Sequence, residues 1–278
     1  MPWLDLDGTR LHYERLGAGP AVVLVHGGMC RLQDWSRQLA DLARDHTVVA
    51  PDLRGHGQSE GDAADCTIAR YAADINALID RLALAPALLV GHSMASRVVA
   101  EAAGRRPDNA RGVILLDGSR SHGGLAAREP DSAAPALAPP SLDEILDATI
   151  GPYAAAADRA EVRTTMSAAR PALIEALVET MRDWDLTRAD EVFAKLKVPL
   201  MAIQSTYHDA FTPRRSLAGE NETTPYLDFL RGARPDIATV VLPDTGHFSM
   251  RERPDRVAAL IRQFDKTIRE KTSWRKSA

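Results

Sequence analysis

Cysteine is nearly absent: only Cys30 and Cys66 occur in 278 residues. They stand far apart and in no metal-type spacing, which excludes a disulfide framework and fits a reducing compartment. No stretch of eighteen residues is apolar throughout, so no segment is expected to span a membrane. The first residues, MPWLDLDG, lack the basic and apolar regions of a signal peptide, so the expected location is the cytoplasm. Charge of one sign is also lacking. With 34 Lys and Arg against 38 Asp and Glu the formal net charge is -4, which points to neither nucleic acid nor an anionic membrane as partner. The basic run from Arg269 to Lys276 is broken by Glu270 and Trp274 and reads as a solvated helix end. Internal repeats are lacking too.

What is present is an alternation of short apolar runs with helical patterns, in a chain that is 45% apolar. The pattern predicts strands over Leu11–Leu16, Ala21–His26, Thr47–Ala50, Ala87–Val90 and Gly112–Asp117. Ala21–His26 (AVVLVH) is apolar without alternation, the mark of a strand covered on both faces. Helical spacing covers Trp35–Arg44, Ser93–Arg105 and Ile68–Leu84, the last with Ile68, Tyr71, Ile75, Leu78, Ile79 and Leu82 on one face. Strand–helix repetition of this kind implies a mostly parallel, doubly wound sheet with helices on both faces. The alternation breaks after Asp117. Residues 131–140 form a Pro/Ala-rich connector, and Ser141 with Glu144 makes a capping box that Gly151-Pro152 later terminates. Helical patterns follow near 156–169, 172–184 and 188–196, with Pro171 suited to a first turn. Strands return at Pro199–Gln204 and Ala238–Leu242, and Pro254–Arg269 closes the chain as a helix. The expected domains are a core of residues 1–119 and 198–278 and an inserted helical cap of residues 120–197.

The segment Gly91-His92-Ser93-Met94-Ala95 lies between a strand and a helix. A serine hydroxyl reacts only when it is exposed, held in position and deprotonated by a neighbour. A strand-to-helix turn provides the first two, and small flanking residues let backbone approach. The helix N-terminus favours the negative charge of a tetrahedral intermediate. Ala95 stands where the G-x-S-x-G pattern has glycine, a departure of one methyl. By itself the pentapeptide also reads as an N-cap serine on a core helix.

Three further segments accompany it. His26-Gly27-Gly28-Met29 follows the first buried strand. Asp52-Leu53-Arg54-Gly55-His56-Gly57-Gln58-Ser59 is a D-x-R-G-x-G-x-S turn, and Gly246-His247-Phe248 follows the last strand. In this order and spacing the four segments resemble the α/β-hydrolase superfamily over nearly the whole chain. The resemblance implies Ser93 as nucleophile and His247 as general base. It implies Asp209, which opens Asp209-Ala-Phe-Thr-Pro213, as the acid, with Asp117 as the rival. It further implies backbone N–H donors from Gly28, preferred over Met29, and Met94 as the oxyanion hole.

Met29, His92, Trp184 and Phe248 are the expected substrate-binding residues, with Trp184 the foremost candidate from the cap. Tyr153, Met166, Met181, Cys30 and Met250 are further apolar candidates, and together they suggest an adaptable apolar pocket. The sequence places no arginine as a carboxylate clamp; Arg31, Arg97 and Arg120 lie near the motifs but fit the solvent equally well. His208 beside Asp209 has no further ligand cluster around it, so no metal and no cofactor are expected. The expected partner is a small-molecule substrate, and the expected activity is hydrolysis of a small to medium, largely apolar ester, thioester or lactone. Carbon–carbon bond hydrolysis or other cofactor-free chemistry uses the same residues, and a small-molecule receptor would keep the same fold.

Overall fold

The computed structural model describes residues 2–120, 142–151, 153–209 and 214–277. The strands are β1 (Trp3–Leu6), β2 (Thr9–Leu16), β3 (Ala21–Val25), β4 (Thr47–Pro51), β5 (Ala87–His92), β6 (Ala110–Leu116), β7 (Leu200–Gln204), β8 (Thr206–Tyr207), β9 (Arg215–Ser216) and β10 (Ala238–Val241). Eight of them form one sheet in the order β1-β2-β4-β3-β5-β6-β7-β10. From β4 to β10 the pairing is parallel, while β1 and β2 add an antiparallel edge. β8 and β9 make a separate antiparallel pair.

The unbroken apolar runs follow from burial on both sheet faces. In β3, Val23 and Val25 enter one core cluster with Val49, Leu89 and Leu115. Val22 and Leu24 point the other way and pack with Val48, Leu88 and Ile114. The first cluster is closed by α2 (Ile68–Arg81), α3 (Ala95–Arg105), and α7 (Ala189–Lys195) with α8 (Pro225–Ala233) further along the chain. The second is closed by α1 (Ser36–Leu42) and α10 (Pro254–Ser277), with α9 (Ser249–Glu252) between β10 and α10. Helix α2 starts where Thr67 accepts a hydrogen bond from the Arg70 N–H. It stops short of the expected Leu84 because Ala83 takes φ 52°, a left-handed geometry that a helix cannot continue through.

Between β6 and β7 the elements among the described residues are all helices: α4 (Leu142–Thr149), α5 (Ala156–Ser167), α6 (Pro171–Thr187) and α7. The connector 131–140, Ser141 of the capping box and Pro152 lie outside the described residues. β1 and α8 were not foreseen. β1 is a half-exposed edge strand with too little apolar pattern; α8 did carry a signal, Thr224 as cap followed by Pro225 at the first turn.

Two buried ionic clusters hold the insertion on the sheet layer. On one side Arg97 of α3 forms a bidentate pair with Asp185 of α6, Nε to Oδ1 at 2.8 Å and Nη2 to Oδ2 at 2.6 Å. On the other, Arg251 of α9 joins Asp34 at 2.8 Å to Asp158 at 3.0 Å and Glu161 at 2.9 Å, both on α5. Arg97→Met is expected to take from buried Asp185 its bidentate partner and to cost about 3–5 kcal/mol. The urea midpoint measures it. The double variant Arg97→Met/Asp185→Leu, which removes both charges, should recover most of the loss.

Candidate active site

Ser93 sits between the end of β5 and the start of α3 with φ 54°. Its N–H donates to the Leu116 carbonyl at 2.8 Å, which ties the turn to the neighbouring strand. A Cβ on Gly91 would lie 2.3 Å from the Ala95 carbonyl oxygen, so only glycine lets α3 fold back this tightly. Ala95, the departure from the pattern, is fully buried and sits without disturbing the turn. The side chain of Ser93 does not serve as a helix cap. Its Oγ lies 2.8 Å from His247 Nε2.

The His247 backbone is fixed from three directions. Its N–H donates to the Thr149 carbonyl at the end of α4 at 2.8 Å. Its carbonyl accepts from His92 Nε2 at 2.8 Å, and the preceding Gly246 carbonyl accepts from Ser205 Oγ at 2.6 Å. Glu252 of α9 accepts the N–H groups of Gly151 and Gly246, each at 3.0 Å. The two glycine backbones meet so closely that a Cβ on either would fall within 2.2 Å of the other's nitrogen.

The Nδ1 side of His247 departs from expectation. Arg214 Nη1 stands 3.1 Å from Nδ1 and also donates to Thr206 Oγ1 at 2.9 Å. A guanidinium can only donate. Nδ1 therefore accepts, and the neutral ring carries its hydrogen on Nε2, facing Ser93. Burial first, and then the positive charge of Arg214, hold the His247 pKa well below the usual histidine value. Asp209, expected at Nδ1, accepts from the Tyr207 hydroxyl at 3.0 Å; residues 210–213 of its loop lie outside the described residues. Asp117 is fully buried at φ 50°. Its Oδ1 accepts from the Ser205 N–H and Oγ, and its Oδ2 from Ser249 Oγ, each at 2.6 Å. Burial lifts its pKa to about 6.

A cavity of about 160 Å³ opens above Ser93. Gly28, Met29, His92, Met94, His247 and Phe248 line it. A Cβ on Gly28 would touch Met94 Sδ at 3.5 Å and Leu177 Cδ1 at 3.3 Å, so the two proposed N–H donors belong to adjacent residues beneath α6. Met166 and Met181 also reach the cavity. Trp184 does not. It is buried between α6 and α3, its Nε1 donates to Glu101 at 2.8 Å, and it meets Phe193 edge-on at 5.8 Å. The reason is electrostatic: the Arg97–Asp185 pair next to it draws this end of α6 onto α3. Tyr153 is exposed under Arg253, and Met250 is fully buried core.

Sequence reasoning missed Arg214 and the α6 residues Ile174, Leu177 and Val178, all of which line the cavity. The α6 set was visible as an i, i+3, i+4, i+7 stripe ending at Met181. Arg214 follows the D-x-x-x-P segment directly, but nothing in the sequence aims its side chain.

Of the other described histidines, His26, His12 and His92 tie scaffold segments together. His26 Nδ1 donates to the Gly27 carbonyl at 2.7 Å while Nε2 accepts from the Leu53 N–H at 2.9 Å, joining the loop after β3 to the turn after β4. In that turn Asp52 accepts from Leu32 and Gln58 N–H groups and pairs with His12. Arg54 holds Asp74 through two bonds. This turn segment is thus scaffold. His92 is pushed down to a pKa of about 4 by burial, and it donates structurally rather than exchanging protons. Among the described residues no group of histidine, cysteine and carboxylate side chains could hold a metal ion, and no helix is long and apolar enough to cross a membrane.

The alpha/beta hydrolase family model matches residues 22–260. An uncharacterised protein of Mycobacterium tuberculosis is 28% identical over 93% of this chain and 79% of its own length. The (E)-2-((N-methylformamido)methylene)succinate hydrolase of Acinetobacter baylyi is 34% identical over 45% of this chain and 48% of its own. Against several curated relatives the chain thus spans half their length or less. Among solved structures, the enol-lactonase from Burkholderia xenovorans LB400 superposes with a TM-score of 0.73 at 23% identity, covering 95% of this chain and all of that one. With the family model spanning the parallel part of the sheet, the serine turn and the histidine loop together, this chain belongs to the alpha/beta hydrolase family.

Proposed function

We propose that the protein is a serine hydrolase that cleaves a small, largely apolar ester, thioester or lactone through an acyl-enzyme on Ser93. The observation that carries this reading is the 2.8 Å contact between Ser93 Oγ and His247 Nε2 at a strained strand–helix turn. In the reaction Ser93 Oγ attacks the acyl carbon and His247 Nε2 takes its proton. The N–H groups of Gly28 and Met94 hold the developing oxyanion. His247 then returns the proton to the leaving group, and water repeats the cycle. The printed name of one structural neighbour, an enol-lactonase, fits this class. The insertion of residues 120–197, through its described helices, acts as the cap that shapes the acyl pocket.

Proton abstraction requires Nε2 as acceptor, so the hydrogen must reside on Nδ1 with a carboxylate behind it. We assign that carboxylate to Asp209, from the loop that also delivers Arg214; the two then exchange places at Nδ1. Asp117 is the poorer fit, because Ser205 and Ser249 already occupy both of its oxygens.

Ser93→Ala is expected to cut esterase turnover by several powers of ten with the fold intact. His247→Ala should cost about as much and the double variant little more, since the two act as a unit; additive losses would defeat the pairing. Asp209→Asn should lower turnover by about 10⁴ or less while Asp117→Asn acts mainly on stability, and the reverse pattern would move the acid to Asp117. His247 should remain neutral below pH 6.5, since its depressed pKa extends the neutral form to more acidic solution. The acid limb of kcat/KM then falls on the acidic side of the ordinary histidine value. A limb above that value would contradict the environment described.

A further inference from the structure

The cavity over Ser93 is walled by thioethers, aliphatic side chains and the ring of Phe248, and Arg214 is the one arginine or lysine that lines it among the described residues. A guanidinium at an apolar wall needs a partner of opposite charge. The fully buried arginines have one in direct contact: Arg54 has Asp74, Arg97 has Asp185, and Arg251 has Asp34 and Asp158. Arg214, half-buried, has no such direct pair; the charge of Asp117 acts on it only from beyond ion-pair distance. Its hydrogen bonds go through Nη1 to the neutral acceptors Thr206 Oγ1 and His247 Nδ1, and no described carboxylate lies within ion-pair distance of it. Nε and Nη2 are left with no acceptor among the described residues. These two nitrogens form the edge of the guanidinium fork that meets a carboxylate through two parallel hydrogen bonds. Burial lowers the arginine's pKa to about 10, still far above neutrality, so the charge is present in the resting protein.

We infer that Arg214 is a carboxylate-binding residue of the substrate site, and that the substrate is an ester, thioester or lactone bearing a carboxylate a few bonds from its scissile carbonyl. Only the His247 ring separates Arg214 from Ser93 Oγ, which sets that short spacing. A carboxylate of the substrate supplies the missing counter-charge in a chamber whose low polarity strengthens the pair. It also competes for the donors that now engage His247. Drawing Arg214 off Nδ1 opens that nitrogen to Asp209, so recognition of the anion and arming of the base are one event. The inference rests on the serine-hydrolase reading for its chemistry, but the binding site stands without it.

The test compares monoethyl succinate with ethyl 4-methylpentanoate, which has the same shape and no charge. The wild-type protein should favour the anionic ester at least tenfold in kcat/KM. In Arg214→Met that ratio should fall by tenfold or more, and Arg214→Lys, which keeps the charge but loses the fork, should fall between. Should Arg214→Met not fold, Arg214→Gln retains a donor towards Thr206 and reads the same ratio. In parallel, calorimetry on Ser93→Ala protein measures binding without turnover. Monoethyl succinate should bind more tightly than its neutral counterpart, and Ser93→Ala/Arg214→Met should lose that difference. An unchanged ratio in a folded Arg214 variant overturns the inference, as does equal binding of the two esters. If Arg214-dependent binding is found while neither ester is hydrolysed, the carboxylate site holds and ester hydrolysis is what fails.

Discussion

A serine held at φ 54° lies in a region that costs an ordinary residue of order 1–2 kcal/mol. Nothing local favours it; the surroundings impose it. The Ser93 N–H is captured by the Leu116 carbonyl on β6, and Ser96 Oγ returns to the Gly91 carbonyl at 3.1 Å. Gly91 leaves room for the α3 backbone to close over β5. The parallel sheet, buried on both faces, is what makes these restraints rigid. The side chain is thereby lifted away from cap geometry and towards His247. Every other feature of the site is positioned relative to that one turn.

The histidine is supported differently. Its loop is held through backbone atoms by Thr149, His92, Ser205 and Glu252, which come from four separate parts of the chain. Its ring is left to side-chain electrostatics. The ring's outer nitrogen faces a cation in the resting structure, so position and protonation are under separate control. The backbone fixes where the ring is, and the groups at Nδ1 decide which nitrogen carries the hydrogen.

The sheet, the helices and the four motif segments were legible because each has a short-range cause. Double-sided burial removes alternation from β3, an amphipathic stripe marks α2, and a tight turn demands glycine at position 91. Ser93 and His247 were legible for the same reason, each lying in a segment with its own pattern. Trp184 was misread because its surroundings are set by a contact 83 residues away with Glu101, which no local pattern records. Arg214 was missed on similar grounds. A chain of arginines carries no mark distinguishing one in solvent from one at a cavity wall, since orientation depends on the fold around it. Helix α8 does carry a local start signal, the Thr224 cap followed by Pro225 in its first turn.

Helix α6 presents a single stripe to the rest of the molecule. Ile174, Leu177, Val178 and Met181 border the cavity, and roughly one turn further along Trp184 and Asp185 engage Glu101 and Arg97. One rod is thus anchored at its C-terminal end and borders the cavity along the turns before it. Bulk can be added or removed at 174, 178 or 181 while the anchor keeps its charges and its aromatic contact. Such a helix resembles a key blank already fitted to its barrel: its teeth can be recut one at a time, and each new profile meets the same serine.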